Sequence, residues 1–363
     1  MKVLFSTNVP SPYRVNFFNE LGKECDLTVL FEKGTSSERD KSWMDYKFEN
    51  FAGIIMKGFS IKPDSALCLG FKKYIKKIKP DIIVICNFAS PTGVLLARYC
   101  RKNNLKYYIE SDGGFGVTKQ KGFKYKIKKK IFENSIGCFS TSKTHDKYYL
   151  SQGAKEKQII RYHFTSIYEN YIVEKKSTNN DSALKMLFVG QFIHRKGIDV
   201  FLKAIGIIHE TNFTVNFIGG NPNDEYNKLV EENALEERVN FDGFKNSLEV
   251  RQYMMDADVM VLPTREDIWG LVINEAMACG CVVVTTNKCV AGLELIENGI
   301  NGYLFESENV NELANIINNL IKDRNHNFIM SNNNLKKIKM YTFEQMVKDH
   351  MEVFKKEVKP CQK

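Results

Sequence analysis

Short runs of β-branched and aromatic residues recur along the first half of the chain, each followed by a stretch with apolar positions at helical spacing. They are KVLFST (2–7), LTVLFE (27–32), DIIVICN (81–87), KYYIES (106–111) and GCFSTS (137–142). Buried strands alternating with helices predict a parallel sheet with crossover connections. The rhythm then restarts with LKMLFVG (184–190), FTVNFIGG (213–220), RVNFDGF (238–244), DVMVLPT (258–264) and CVVVTT (281–286). Between the two series lies EKKSTNNDS (174–182), polar and poor in apolar residues, the composition of an exposed connection. The expected fold class is therefore α/β, with two doubly wound Rossmann-like domains facing across a cleft, an N-terminal one at 1–176 and a C-terminal one at 184–341. A last helix is expected over 342–358, where Phe343, Val347, Met351 and Phe354 share one face and Thr342 with Gln345 spells a capping box. Ligands of open parallel sheets bind beyond the C-terminal ends of the strands, so chemistry is expected in the cleft.

Size agrees with this reading, since 363 residues exceed what one ordinary core organises. The opening MKVLFSTNVP is broken by Asn8 and Pro10 and reads as a strand rather than a secretion signal, and no apolar run approaches the roughly 20 residues a membrane helix needs. Nine scattered cysteines without a CxxC pair fit reduced thiols serving as core filler, and the expected location is cytoplasmic. No zinc-like spacing surrounds Cys279 and Cys281. The net charge of +9 is uneven: residues 1–176 hold 32 Lys and Arg against 17 Asp and Glu, or +15, and the remainder 20 against 26, or −6. Lysine clusters at 71–80 and 119–130 are either solvated helix faces or a surface for anionic lipid at the inner face of a membrane. No nucleic-acid module accompanies them, so nucleic acid is not an expected partner.

Two stretches carry candidate chemistry. In VLPTREDIWGLVINEAMACGCVVVTT (261–286) a strand ends at Pro263 and a helix begins near Trp269 or Gly270 and stops at Gly280. The free N–H groups around Gly270, Leu271 and Val272 offer a seat for phosphate, and Gly270 lets a backbone come close. Asp267 precedes the helix and Glu275 lies within it. One carboxylate can line the reacting end of a ligand and the other can reach a hydroxyl, or, more plainly, Glu266 and Asp267 only complement the helix dipole while Glu275 is a surface residue. In LFVGQFIHRKGIDVFLKAI (187–205) a strand ends at Gly190, Gln191 follows, and His194, Arg195 and Lys196 precede a helix opening after Gly197. Cations here can neutralise a diphosphate and the charge that grows on it as a group departs, although such a loop spelling is also common without a ligand. In the first half, Asp112, Gly113 and Gly114 end another strand and either contact a ligand or form a plain turn. Asp256-Ala257-Asp258 copies a metal-binding spelling but precedes a strand, so no metal is expected there.

Taken together, these stretches resemble the retaining glycosyltransferases of family 4, which have the two-domain architecture called GT-B. The likeness is most specific in the acidic residue, Gly-Leu-Val and Glu-Ala-Met-Ala-Cys-Gly run of 267–280, where the family's two acids fall on Asp267 and Glu275. It implies that Glu275 holds the donor ribose, Asp267 faces the transferred sugar, Gly270 to Val272 cap the diphosphate, and Arg195 and Lys196 hold the leaving phosphates. Gly243, Phe244 and Lys245 match the segment framing the base, VAGLELIENGINGYLF (290–305) looks like the final donor-side loop, and Pro12, Tyr13 and Arg14 lie in what looks like the opening acceptor-side loop. In the family the last helix usually returns to the first domain. Three departures stand out: Asp267 where Glu is usual, with Glu266 as a substitute; Gln191 where many members carry Arg; and Asn87 in place of a His-bearing segment. The implied activity is a retaining hexosyltransferase with a nucleotide sugar donor, UDP-sugars ahead of GDP-mannose, and a glycan or lipid-linked acceptor in surface polysaccharide assembly, without cofactor or dedicated metal. A sugar-nucleotide epimerase and a non-catalytic protein that binds anionic surfaces are the alternatives.

Overall fold

A computed structural model describes residues 1–35, 46–116, 122–176 and 182–358. Residues 119–121 of the second lysine cluster, 177–181 of the polar connection, and Cys361 lie outside the described residues. Two compact units make up the chain, Met1–Thr165 with Phe343–Lys363 and Ser166–Thr342. The change of unit falls at Thr165 and Ser166, ahead of the polar stretch 174–182.

In the first unit the strands are β1 (Lys2–Thr7), β2 (Asp26–Phe31), β3 (Ala52–Ile55), β4 (Phe59–Lys62), β5 (Ser65–Leu67), β6 (Ile82–Ile85), β7 (Tyr108–Glu110), β8 (Gly137–Ser140) and β9 (Ile159–Arg161). Helices α1 (Pro12–Leu21), α2 (Phe71–Ile78), α3 (Pro91–Lys102), α4 (Phe123–Glu133) and α5 (Lys143–Gln152) connect them. Seven strands form one parallel sheet in the order β3-β2-β1-β6-β7-β8-β9, and β4 and β5 form a separate hairpin. Val3, Leu4 and Phe5 are wholly buried because β1 is covered on both faces, which is why its sequence is a continuous apolar run. Strands β3 and β9 and the hairpin go beyond the five expected runs. Helix α3 shows how local sequence sets a boundary: Pro91 occupies its first position and Ser90 accepts the Gly93 N–H at 2.9 Å.

The second unit has β10 (Leu184–Val189), α6 (Ile198–Gly206), β11 (Phe213–Ile218), α7 (Asp224–Glu232), β12 (Val239–Phe241), α8 (Ser247–Asp256), β13 (Val259–Leu262), α9 (Leu271–Ala278), β14 (Val282–Thr286), α10 (Val290–Leu295), β15 (Gly302–Phe305), α11 (Val310–Lys322) and α12 (Arg324–Ile338). Its six parallel strands run β12-β11-β10-β13-β14-β15, so the winding reverses between β10 and β13, which pair through Met186 with Val259 and Leu187 with Met260. That reversal is the switch point at which doubly wound sheets receive ligands. Lys176 corrects the expectation of a solvated connection. It is buried, and its ammonium donates to the carbonyls of Met254, Met255, Ala257 and Cys279 at 2.5–3.3 Å, at the C-terminal ends of α8 and α9, where the helix dipoles favour a cation. The eight described cysteines are free thiols, six of them buried, and among the described residues no helix is long and apolar enough to cross a membrane.

The closing helix, α13 (Phe343–Val358), belongs to the first unit. Phe343, Val347, Met351 and Phe354 are buried along one face, joined by Met346 and His350. Phe354 meets the rings of Phe5, Tyr108 and Phe139, and His350 stacks on Phe139 with centroids 4.4 Å apart. His350 Nδ1 lies 2.7 Å from the Met346 carbonyl and Nε2 3.1 Å from Glu110, a wholly buried carboxylate that also pairs with Arg14. Arg14 continues to Asp112. Burial alone would raise the Glu110 carboxyl, but Arg14 and then His350 outweigh it and hold it down to about 2.

A carboxyl depressed in the folded state contributes stability above its unfolded value, near 4.5, and loses it as pH falls toward 2. Glu110→Gln leaves Arg14 and His350 under-compensated and is expected to cost on the order of 3–5 kcal/mol at neutral pH. Denaturant unfolding as a function of pH checks this. The variant should also lose part of the wild-type decline between pH 4.5 and 2, and an unchanged profile would remove Glu110 from that role.

Candidate functional site

At the switch point two loops of the second unit are fastened together. After β10 the chain passes Gly190 and the exposed Gln191, makes a 3₁₀ turn at His194–Lys196, and enters α6 through Gly197 at φ 71°. A Cβ at Gly197 would stand 2.0 Å from the Pro263 carbonyl oxygen, so only glycine lets the β10 loop lie against the β13 loop. Polar bonds complete the junction. Arg265 N–H and the buried Thr264 hydroxyl donate to the Arg195 carbonyl at 2.8 and 3.0 Å, and Arg195 Nη1 donates to the Glu266 carbonyl at 2.6 Å. The Arg265 guanidinium reaches the His194 carbonyl at 2.5 Å and grips Asp199 of α6 with two bonds of 2.9 and 2.8 Å.

This junction sets the charges. Lys196 Nζ lies 2.6 Å from Asp267 Oδ2, and Arg195 Nη1 lies 3.9 Å from the same oxygen. The Asp267 backbone is fixed by its N–H to the Lys288 carbonyl at 2.9 Å and by its carbonyl, which accepts the Val290 N–H at 3.1 Å. Arg195 keeps a largely exposed side chain, while Lys196 and Asp267 are mostly covered. Glu266 points to solvent and offers the junction its carbonyl.

Three residues on, Gly270 stands at φ 97° and α9 begins at Leu271, with no side chain capping it. This agrees with the expected start near Trp269 or Gly270. Trp269, also expected on the donor side, has a buried side chain whose indole N–H donates to Asn274 at 2.8 Å. Glu275, one turn into α9, is partly buried and accepts the Ser166 hydroxyl at 2.8 Å. Burial pushes its carboxyl from 4.5 up to about 7, with Ser166 opposing. At the end of β12, the Gly243 carbonyl accepts the Gly219 N–H at 2.8 Å, Phe244 exposes most of its ring and Lys245 is half-buried. Two cations, an uncapped helix start and a covered carboxylate thus share one edge of this sheet, an assembly that can grip a pyrophosphate.

In the first unit, Pro12 opens α1, and Tyr13, Arg14 and Asp112 come together: the Tyr13 hydroxyl and the Arg14 guanidinium both donate to the Asp112 carboxylate. Gly113 follows Asp112, and a Cβ at Gly114 would meet the Tyr148 ring at 2.5 Å. Asn87 stands apart from this group. Its amide donates to the buried Glu32 and accepts the Ser6 hydroxyl at 3.3 Å. Glu32, Glu110, Arg265, Ser166 and His350 were not among the expected site residues. Glu32 and Glu110 do carry a signal, a lone acid at the C-terminal end of an apolar strand. Asp258 of the acidic pair accepts the Lys185 N–H at 2.9 Å and pairs with Arg324 at 3.0 Å, and among the described residues no cluster of His, Cys, Asp and Glu could hold a metal ion.

Residues 172–337 match the family model for glycosyl transferases group 1. The matched segment takes in every residue expected on the donor side, from Gly190 to Glu275. Over 147 residues the chain is 32% identical to the 41.2 kDa protein in the cps region of Klebsiella pneumoniae, covering 39% of each chain. It is 27% identical to the O-antigen biosynthesis glycosyltransferase WclY of Escherichia coli, over 51% of this chain and 52% of that one. The chain thus spans about half or less of these curated relatives. Among solved structures, Anabaena Alr3699/HepE in complex with UDP superposes with a TM-score of 0.80 at 17% identity, over 98% of this chain and all of the other. The fold is that of the GT-B glycosyltransferases, with two Rossmann-like domains in one chain.

Gly270 offers a direct test of the local geometry. Its φ of 97° is costly for any other residue, and an added Cβ would stand 2.8 Å from Cys289 Sγ. Gly270→Ala is expected to lower unfolding free energy by about 1–3 kcal/mol. Adding Cys289→Ala should recover only the part due to the clash, as read by denaturant unfolding.

Proposed function

We propose that this protein is a retaining glycosyltransferase. It moves a hexosyl unit from a nucleotide diphosphate sugar, a UDP-sugar ahead of GDP-mannose, to a glycan or lipid-linked glycan in cell-surface polysaccharide assembly. The observation that carries the reading is the convergence of Lys196 and Arg195 on Asp267 beside the uncapped start of α9. The match of 172–337 to group 1 glycosyl transferases and the likeness to WclY support it, and the similar HepE structure, which holds UDP, favours a UDP-sugar.

In this reading Lys196, Arg195 and the Gly270 to Val272 backbone hold the diphosphate, and Phe244, Gly243 and Lys245 frame the base. Glu275 accepts hydrogen bonds from the ribose hydroxyls and Asp267 lies against the transferred sugar. The bond from the anomeric carbon to the β-phosphate oxygen breaks as the acceptor oxygen bonds that carbon on the same face. The acceptor's hydroxyl proton passes to the departing phosphate oxygen. The positive charges stabilise the diphosphate as its charge grows, which lowers the barrier without a dedicated metal ion. Tyr13, Arg14 and Asp112 serve the acceptor, and the basic first unit faces anionic lipid.

A thermal-shift panel of nucleoside diphosphates and their sugars on the full chain tests this, because a true donor stabilises by mass action. UDP and a UDP-sugar are expected to raise Tm. Lys196→Ala should lose both that shift and sugar transfer while still unfolding cooperatively, at a Tm lowered by the loss of its covered pair with Asp267. Near-normal transfer by the variant would remove Lys196 from the reaction, and turnover of the donor with no acceptor would favour the epimerase.

The pH dependence of donor binding follows from Glu275. A carboxyl raised to about 7 is protonated at lower pH and then accepts ribose hydroxyls less well. UDP affinity is expected to weaken as pH falls through 7, by calorimetry, and Glu275→Gln should flatten the profile. An unchanged donor KM in Glu275→Ala would remove the ribose assignment.

A further inference from the structure

Four described residues other than glycine stand at positive φ, namely Lys79, Asn104, Ala234 and Glu308. Three of them end helices: Lys79 caps α2, and Asn104 and Ala234 lie just past the ends of α3 and α7, where a left-handed residue is the ordinary terminator. Glu308, at φ 72°, follows β15 and has no helix to end. It is the third residue of a turn in which the Asn309 N–H donates to the Glu306 carbonyl at 3.0 Å, a place where positive φ calls for glycine. Both flanks of the turn are fixed, since the Ser307 N–H donates to the Asn287 side chain at 3.3 Å and the Asn309 side chain accepts the Glu312 N–H at 3.1 Å. A glutamate here therefore carries a conformational cost that glycine would not.

What the glutamate gains is Arg265. Its carboxylate pairs with Arg265 Nε and accepts from Nη2 at 3.1 Å. The guanidinium gives its remaining N–H groups to Asp199, at 2.9 and 2.8 Å, and to the His194 carbonyl at 2.5 Å. All five of its donors are thereby used, on acceptors in the turn after β10, the first turn of α6 and the turn after β15. A planar fork gripped from three sides cannot swing. Its place matters because His194 opens the turn that carries Arg195 and Lys196, and because the Arg265 N–H holds the Arg195 carbonyl. Without Glu308, the acid left to aim the guanidinium is Asp199, which Lys203 also engages at 3.3 Å.

We propose that Glu308 is a positioning residue for the transfer reaction: acting through Arg265, its carboxylate fixes the His194–Lys196 turn in the orientation at which Arg195 and Lys196 meet a diphosphate. This deepens the donor-side reading and rests on it, since the pair being positioned is the one assigned to the leaving phosphates. The Glu308 side chain is 56% exposed, and an ion pair so open to solvent contributes little to folding. Its role shows in ligand binding more than in stability.

Calorimetric titration of the full chain with UDP and with uridine tests the assignment. Glu308→Gly is the variant of choice, because glycine adopts φ 72° freely and the relieved backbone offsets the lost pair, leaving Tm without ligand close to the wild-type value. Uridine lacks the phosphates and so reports the rest of the site. UDP affinity is expected to fall about ten-fold in the variant, while uridine affinity holds. Equal UDP affinity in variant and wild type would overturn the assignment and leave the donor reading intact. A matched loss of uridine would mark Glu308 as a support for the whole site and overturn positioning. Arg265→Lys, which keeps the charge and gives up the fork, supplies a second arm. If Glu308 acts through Arg265, adding Glu308→Gly to Arg265→Lys should weaken UDP no further. A further loss of the same size would put Glu308 on another route and overturn the proposal. No binding of UDP by wild type would remove the donor reading itself, and the proposal with it.

Discussion

The Pro263 carbonyl stands where any side chain at residue 197 would have to be. From this contact follows most of what the second unit presents at the C-terminal edge of its sheet. A residue with no Cβ lets the β10 loop lie on the β13 loop, and backbone carbonyls then meet Thr264, Arg265 and Arg195 at bonding distance. Charges 71 positions apart in sequence are thereby set beside each other on backbone that has little freedom to move. Preorganised groups of this kind need no rearrangement when negative charge develops among them, the condition under which fixed electrostatics act most strongly on a reaction.

The two units treat buried acids in opposite ways. Glu110 lies between Arg14 and His350, so its charge is neutralised inside the core and its carboxyl is held low. Glu275 has a serine hydroxyl for company, and desolvation carries it upward. The first arrangement suits structure, because an ion with partners on both sides is costly to disturb. A carboxylate with one neutral partner retains capacity to accept further hydrogen bonds, which suits a group that meets a ligand.

Much of this organisation was legible in the sequence, for identifiable reasons. Strands covered on both faces leave continuous apolar runs, so β1, β2, β6, β7, β8 and all but the last strand of the second sheet stood out. Strand β3 at the sheet edge is only half-covered, and the short β9 and β15 lacked such runs. Helix α9 was visible from the glycines at its two ends, whereas the bond of the Trp269 indole to Asn274 was not. Clusters assembled over long separations were the least visible. Nothing local to Ser166 announces Glu275 as its partner, and Arg265 resembles any loop arginine until Asp199 is placed beside it. Lys176 looked like a solvated connection because composition cannot show four carbonyls converging on one ammonium.

The place of α13 bears on how the molecule is made. On the ribosome, Arg14 and Glu110 emerge 240 residues of synthesis or more ahead of His350, and throughout that interval the acid lacks its imidazole and the sheet lacks the helix carrying Phe354. The second unit, continuous from Ser166 to Thr342, has all its own strands before then. The later-encoded unit can therefore mature first, while the earlier one waits for α13 to close its core.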